Sequence, residues 1–354
     1  MKKIIMTGGG SAGHVMPNIA LIEKLRDEGY EIHYIGTKNG IERELVEKYD
    51  YVTYHPISSG KLRRYFSLKN LTDPFRVLKG ISQSRRIVKK VEPNVVFSKG
   101  GFVSVPVVRA AASLKIPCII HESDMTPGLA NKLCIPVSRK ICCNFPETFD
   151  MLPPEKAVLT GSPIREELST GNKEVGLAFC GFNHEKPVIM VMGGSQGAAA
   201  VNQAIRDALP KLLEKYQVVH LCGKDKMDNL LLTVPGYKQF EYIKEEMKDL
   251  LAMADLVISR SGANAISEIL ALRKPNILIP LPSGRGDQLL NADSYEAQGF
   301  SIVINEDDLT TKVLLQKVEE LWQNKETYVK TMSESKQRDA IGQIMGLIEE
   351  NRLK

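Results

Sequence analysis

The sequence predicts an α/β protein made of two Rossmann-like domains with parallel sheets. Short apolar runs that end in Gly, Ser or Asn loops and pass into helix-like periodicity recur along the chain. This alternation is typical of parallel strands joined by crossover helices. The order of strand, glycine loop and helix appears at Gly8 and again at Gly193, which indicates two sheets. A chain of 354 residues is long enough for two domains with substantial cores.

The apolar runs give the predicted elements in order. We expect strands at residues 4–6, 31–35, 95–98 and 116–120 in the first half, and at 188–192, 256–259 and 276–279 in the second. The first helix is predicted to begin near Pro17, because proline suits an early helical position, and to end at Gly29. The last helix, at about residues 336–354, carries apolar side chains on one face and is expected to pack on the first domain.

Proline and glycine are dense between residues 153 and 171, so this segment is the predicted hinge. The predicted domains are therefore residues 1–163 together with the final helix, and residues 164–335. Ligands of open α/β sheets bind outside the carboxyl ends of the strands. Two such domains would face one another across a cleft lined by these loops.

Composition excludes several classes of protein. The N-terminal run before the glycines is too short for the core of a signal peptide, and no apolar run approaches the ~18 residues of a spanning helix. The six cysteines form no C-x-x-C pair and no zinc-like cluster with histidine, so we expect reduced thiols and no metal site.

The first glycine loop, MTGGGSAGHVMP, fits the G-x-G-x-x-G pattern of dinucleotide sites at Gly8, Gly10 and Gly13. That pattern also needs an acid after the second strand, and residues 36–39, GTKN, contain none. A nicotinamide cofactor is therefore not expected. His14 follows the last glycine directly, where an imidazole would act as a general base or would simply cap the helix or line the wall.

Polar loops in the second half offer a nucleotide site, although each has an ordinary structural explanation as well. GGSQGA at residues 193–198 resembles a phosphate-binding turn, or is only a tight turn. Glu268 in RSGANAISE is suited to ribose hydroxyls, or is a solvated helix charge. Gln288 is suited to sugar hydroxyls, and Arg165 to a phosphate. No D-x-D motif, P-loop lysine or G-x-S-x-G elbow is present, so a single displacement assisted by helix dipoles fits best.

Seven motifs occur together in order: GGGSAGHVMP, KGGFVSVP, HESDMTPGLANK, LTGSPIR, GGSQGA, RSGANAISE and GDQLLNA. From end to end the chain resembles the MurG-type N-acetylglucosaminyltransferases of peptidoglycan synthesis. The resemblance implies the GT-B fold, two Rossmann-like domains around a cleft. It also implies inverting transfer of N-acetylglucosamine from UDP-GlcNAc to the 4-hydroxyl of the undecaprenyl-diphosphate-linked muramoyl-pentapeptide, with no cofactor required.

The resemblance also assigns residues to the donor. The implied donor-binding positions are Ser11, Ala12, Gly13, Arg165, Ser195, Gln196, Gly197, Ile243, Ala263, Asn264, Ser267, Glu268 and Gln288. Of these, residues 11–13 belong to the loop that lies beside the acceptor. Ser195 and the glycine turn match the diphosphate loop, and Ile243 matches a backbone contact to uracil.

On the acceptor side the resemblance implies Gly10, Gly100 and Gly101, with His14 as the preferred base. This chain has Asp124 where many relatives have Asn, which replaces a donor amide by an acceptor-only carboxylate. Asp124 is therefore a second catalytic candidate, ranked below His14.

Residues 60–90 contain ten Lys and Arg against one acid, Asp73. Aromatic and basic side chains alternate there, including Lys61, Arg63, Arg64, Tyr65 and Phe66. Taken alone, the run fits a solvated helix face, and nucleic-acid binding is another reading. With a polyprenyl-linked substrate, peripheral contact with an anionic membrane at its cytoplasmic face is favoured, and no nucleic acid. Membership in a cell-wall synthesis complex stays open.

Three other functions remain as alternatives. A UDP-GlcNAc 2-epimerase would use the same fold and donor without needing a membrane patch. A diacylglycerol glycosyltransferase would share the patch. A non-catalytic nucleotide-sugar-binding scaffold would keep the donor site alone.

Overall fold

The computed structural model describes residues 2–60, 73–194, 197–282 and 286–354. The chain divides into two compact units, residues 1–165 with 339–354, and residues 166–338. Each unit contains one parallel sheet with helices on it, as the sequence predicts. The division therefore falls after Arg165, where the sequence places it after residue 163.

The first unit is built on a seven-stranded sheet. Its strands are β1 (Lys2–Thr7), β2 (Tyr30–Thr37), β3 (Val52–Ile57), β4 (Val95–Ser98), β5 (Cys118–Glu122), β6 (Lys140–Cys143) and β7 (Ala157–Leu159). The strand order is β3-β2-β1-β4-β5-β6-β7, and every pairing is parallel. Its helices are α1 (Ala12–Asp27), α2 (Ile41–Val46), α3 (Asp73–Val91), α4 (Ser104–Ser113), α5 (Leu129–Cys134), α6 (Pro146–Asp150) and, from the end of the chain, α13 (Ala340–Asn351).

The central residues of β1 and β4 are apolar on both faces of the sheet, because helices cover both faces. In β1, Ile4 and Met6 belong to the core on one face, and Ile5 belongs to the core on the other. Helix α13 adds Ile344 and Ile348 to the first of these cores. The last helix thus returns to the first unit, where it was expected to pack.

The second unit is built on a six-stranded sheet. Its strands are β8 (Val188–Met192), β9 (Gln217–Leu221), β10 (Tyr237–Phe240), β11 (Leu256–Ser259), β12 (Asn276–Leu278) and β13 (Ile302–Val303), in the parallel order β10-β9-β8-β11-β12-β13. Its helices are α7 (Lys173–Cys180), α8 (Ala199–Lys215), α9 (Met247–Met253), α10 (Ala263–Ala271), α11 (Asp287–Ala297) and α12 (Thr311–Glu334).

One local expectation was wrong, namely the start of the first helix. Helix α1 begins at Ala12, so Pro17 lies inside it. Ser11 has the extended backbone of an N-cap. Pro17, in the second turn, has no N–H to donate to the carbonyl four residues earlier. The predicted hinge also contains β7, because Ala157 packs in the core beneath the sheet. The six cysteines are free and buried.

Candidate active site

Three loops of the first unit meet at the carboxyl edge of its sheet. They follow β1, β4 and β5, which are neighbours in the sheet. The loops touch closely, since a Cβ atom on Gly101 would lie 2.2 Å from the Gly9 carbonyl oxygen. Gly101 has φ of 83°, a conformation that glycine adopts without steric cost. The structure thereby brings together the loops that contain Gly10, Gly100 and Gly101, whose role on the acceptor side stays a prediction.

His14 lies in the first turn of α1, within this cluster. Burial, and secondarily the Lys99 ammonium, lower its pKa to about 4, against a backbone hydrogen bond with Lys99 that raises it. The amino end of a helix also disfavours an imidazolium. His14 is therefore a neutral imidazole near pH 7, the form that a general base must have.

Asp124 lies just after β5, on the same edge of the sheet. Its amide donates to the Glu122 carboxylate at 3.0 Å, and the same carboxylate accepts from the Gly128 amide and the Asn131 side chain. Burial raises the pKa of Glu122, against these hydrogen bonds. Glu122 therefore organises the turn, while Asp124 is half-buried beside it.

Glu42 was not predicted from the sequence, yet its side chain places an acid at the end of β2. This fully buried carboxylate accepts from the Thr37 amide at 2.9 Å and from the Gly10 amide at 3.3 Å. The Glu42 side chain therefore contacts the first glycine loop and holds this loop to the end of β2. Because Glu42 is buried and already hydrogen-bonded, it does not bind a ribose. A nicotinamide site is therefore still not expected, but the reason is the burial of this acid and not the lack of one.

The second unit contains a cavity of about 580 Å³ at the carboxyl edge of its own sheet. Apolar side chains, two glycine-rich turns and a few polar groups form its wall. The lining residues are Met192, Gly193, Gly194, Gly197, Ala198, Ala199, Ala200, Leu221, Glu241, Tyr242, Met247, Ser259, Arg260, Gly262, Ala265, Leu281, Gln288 and Glu306.

Two helices begin at the wall of this cavity. The first turns of α8 and α10 both contribute lining residues, and neither turn contains an acidic side chain. Free amides and the positive end of each helix dipole favour an anion there. The cavity is suited to a diphosphate with an apolar group beside it.

The predicted donor residues are only partly brought together. Gly197 and Gln288 line the cavity, and Ala263 and Asn264 begin α10 beside it. The Ser267 hydroxyl donates to the Ala263 carbonyl at 2.8 Å, so it serves the helix. Ile243 is buried, and it is the preceding Glu241 and Tyr242 that line the cavity.

The other predicted donor residues are not among the described residues that line the cavity. Glu268 is half-buried in α10, and Arg165 is the last residue of the first unit before the division. Ser11, Ala12 and Gly13 also belong to the first unit. Ser195 and Gln196 lie outside the described residues.

Arg260 and Glu306 are a second feature that the sequence analysis missed. Arg260 is buried, donates to the carbonyls of Ile279 and Pro280 at 3.0 Å, and is paired with Glu306. Its charge is therefore already compensated, and its main effect is to hold the end of β12 at the cavity. Glu306 is distant in sequence, so no local pattern points to it.

Of the basic segment, Lys61, Arg63, Arg64, Tyr65 and Phe66 lie outside the described residues. In α3, which follows, Phe75 and Leu78 are exposed by 74% and 63%. In the described part of the chain no helix has the length and apolarity to span a membrane. The same residues contain no group of three His, Cys, Asp or Glu side chains arranged for a metal ion.

The arrangement of two parallel-sheet units with loops at their carboxyl edges agrees with the family comparison. The model of the glycosyltransferase family 28 N-terminal domain matches residues 4–142, and that of the C-terminal domain matches residues 188–344. The chain belongs to glycosyltransferase family 28 and is a glycosyltransferase, as the resemblance implied.

Individual relatives narrow the comparison. A UDP-N-acetylglucosamine–N-acetylmuramyl-(pentapeptide) pyrophosphoryl-undecaprenol N-acetylglucosamine transferase of Lachnoclostridium phytofermentans is 60% identical over 356 residues, covering 100% of both chains. The crystal structure of Acinetobacter baumannii MurG matches with a TM-score of 0.78 and 26% identity, over 99% of this chain and 100% of that one. The GT-B fold is thereby confirmed.

A UDP-GlcNAc 2-epimerase from Neisseria meningitidis, bound to UDP-GlcNAc, matches with a TM-score of 0.68 at 15% identity, over 99% of this chain and 100% of that one. At this identity the likeness shows the fold alone. The shared fold therefore does not separate a transferase from an epimerase, whereas the full-length similarity to the transferase does.

Proposed function

We propose that the protein transfers N-acetylglucosamine from UDP-GlcNAc to the 4-hydroxyl of undecaprenyl-diphospho-N-acetylmuramoyl-pentapeptide, with inversion. The observation that carries the proposal is the cavity of the second unit, where two helix N-termini and a glycine turn meet an apolar wall. A nucleoside diphosphate has the anionic and apolar parts that such a wall accepts. The similarity over the whole chain supports the choice of donor and acceptor.

In this proposal the second unit binds the donor. The turn of Gly194, Ser195, Gln196 and Gly197 contacts the diphosphate, and the helix dipoles stabilise the UDP that departs. Ala263, Asn264, Ser267, Glu268 and Gln288 belong to the ribose and sugar side, and Ile243 to the uracil side. The resemblance adds Arg165 and residues 11–13 to the predicted donor-binding residues.

The loops of the first unit receive the acceptor. His14 removes the proton from the attacking hydroxyl, which its neutral form at pH 7 allows. The Asp124 carboxylate accepts hydrogen bonds from sugar hydroxyls, and is the second candidate for the base. Gly10, Gly100 and Gly101 let the lipid-linked diphosphate approach the backbone.

The basic segment contacts the membrane in this proposal. Lys61, Arg63, Arg64, Tyr65 and Phe66 would rest on an anionic surface at the cytoplasmic face, where the lipid-linked acceptor is held. In the described part of the basic segment, Phe75 and Leu78 on α3 are exposed apolar side chains. Such contact would make the enzyme a peripheral membrane protein.

The test is incubation of the purified protein with UDP-GlcNAc and a short-chain lipid-linked muramoyl acceptor. We expect UDP release that depends on the acceptor, with a disaccharide product carrying the inverted linkage. N-acetylmannosamine among the products would identify an epimerase instead. Transfer to diacylglycerol, or UDP binding without turnover, would indicate one of the other two functions.

A further inference from the structure

Lys99 is a buried cation that the proposed chemistry does not use. It follows β4, its side chain is only 1% exposed, and its amide donates to the Thr7 carbonyl at 2.9 Å. Burial lowers its pKa to about 7, although the Glu122 and Asp124 carboxylates oppose the shift. An ammonium is costly in such a place unless its hydrogen bonds are made.

The partners of Lys99 belong to the turn after β5. The Lys99 Nζ atom lies 2.8 Å from His121 Nδ1 and also donates to the Ser123 hydroxyl. His121 Nε2 lies 2.8 Å from the Gly161 carbonyl, which can only accept, so Nε2 carries the proton. Burial and the Lys99 charge keep the pKa of His121 well below its usual value. In this neutral tautomer Nδ1 accepts from Lys99.

We propose that Lys99 is a positioning residue of the transfer reaction. Its hydrogen bonds to His121 and Ser123 hold the turn of residues 121–124 against the first glycine loop, where His14 lies. The inference deepens the proposed function and rests on the assignment of the acceptor site to these loops.

Lys99 also lies next to the first glycine loop, opposite the turn of residues 121–124. A Cβ atom on Gly8 would lie 3.2 Å from the Lys99 Cβ atom, so the base of the lysine side chain lies close beside the loop that leads into α1. Lys99 thus bridges two of the three loops. A change in its side chain would be felt at His14 and at Asp124 together.

Charge gives the bridge a second effect. The charges of Glu122, Asp124 and Cys142 raise the pKa of Lys99. Lys99 in turn lowers the pKa of both His14 and its neighbour His121. Because a nearby positive charge disfavours imidazolium, Lys99 helps to keep His14 unprotonated. Without the ammonium, the pKa of His14 would move toward its usual value of 6.5.

The test is the variant Lys99→Met, which keeps an unbranched side chain only one atom shorter and removes its charge and hydrogen bonds. We expect kcat to fall about 10- to 100-fold, because displaced reacting groups lose that much. The KM for UDP-GlcNAc should change far less than kcat, since the described cavity that we assign to the donor is formed by the other unit. The matched control is Lys48→Met, at an exposed lysine of the same unit, which should behave as the wild type.

The second readout is the titration of the His14 ring, followed by NMR with His14→Gln as the assignment control. In Lys99→Met the His14 pKa should rise, and the acid limb of kcat should move to higher pH. Lys99→Arg, which retains the charge, should leave the titration low. An unchanged kcat in Lys99→Met, or an unchanged His14 titration, overturns the inference.

If Lys99→Met does not fold, Ser123→Ala decides the matter, because it removes one partner of the ammonium and leaves the lysine in place. A lower kcat with an unchanged KM for UDP-GlcNAc supports the inference, and a wild-type kcat overturns it. The proposed function fails by a different result, namely the absence of acceptor-dependent transfer in the wild-type protein.

Discussion

At the scale of single residues, His14 shows how burial prepares a group for its proposed role. Its low pKa has burial as the main cause and the Lys99 charge as the second. A base must be unprotonated, so activity is lost only as the pH falls through that low value. We therefore expect the acid limb of kcat/KM well below pH 6.5 in the wild-type enzyme.

His14→Gln removes the proposed base. Turnover should fall by about 10²- to 10⁴-fold, while the Kd for UDP, measured by calorimetry, should change far less, because the cavity that we propose for UDP belongs to the other unit. His184→Gln is a control at an exposed histidine and should leave both quantities unchanged. A wild-type rate in His14→Gln would exclude His14 as the general base and leave Asp124 as the candidate.

Glu268 tests the donor side. If its carboxylate accepts from the ribose hydroxyls, Glu268→Gln loses a charged hydrogen bond worth about 1.5–3 kcal/mol, and the KM for UDP-GlcNAc should rise by about tenfold or more. Glu326→Gln, at an exposed position of α12 in the same unit, is the control. Equal Michaelis constants in the wild type and Glu268→Gln would count against the ribose role.

At the scale of elements, the loops at the sheet edge are fixed by close backbone approach. Gly101 has positive φ and faces the Gly9 carbonyl, whereas a Cβ atom on Gly346 in α13 would meet nothing within 4 Å. The same chemical change therefore has opposite consequences at the two positions. Alanine at position 101 would disturb the loop contact, whereas alanine at position 346 would raise the helix propensity of α13.

Gly101→Ala should destabilise the first unit by about 3 kcal/mol or more, because the new methyl group meets backbone and the conformation is strained. Gly346→Ala should stabilise it by about 0.5–1 kcal/mol, through the higher helix propensity of alanine. Urea unfolding of both variants measures this, since both positions belong to the same unit. Equal midpoints for the two variants would contradict the described loop contact.

The elements also show where local sequence rules lose to tertiary structure. The strands at 95–98, 188–192 and 256–259 have the predicted bounds, because a buried parallel strand requires a continuous apolar run. The start of α1 was mispredicted, since the rule for proline describes only a preference, and the helix begins at Ala12 directly after the extended backbone of Ser11. Glu42 and Glu306 act through contacts made in space, which periodicity does not record.

At the scale of the whole molecule, we propose that the basic segment determines where the enzyme works. Arg63→Glu with Arg64→Glu should reduce binding to anionic vesicles and weaken its dependence on salt, because each basic residue near the surface contributes about 1 kcal/mol. Sedimentation with vesicles containing anionic lipid measures the bound fraction. Lys312→Glu with Lys330→Glu, at exposed positions of α12, is the charge-matched control. Vesicle binding that persists in the arginine variant would place the membrane surface elsewhere.

The sequence by itself determined the fold class, the two sheets and the family, because buried strands and glycine turns leave local patterns and the seven motifs keep their order. It also pointed to His14 and to the glycine turn of the second unit. Only the tertiary structure decided which side chains surround them. The Lys99 ammonium, the His121 tautomer and the Glu42 carboxylate owe their roles to burial and to partners distant in sequence, and these depend on how the chain packs.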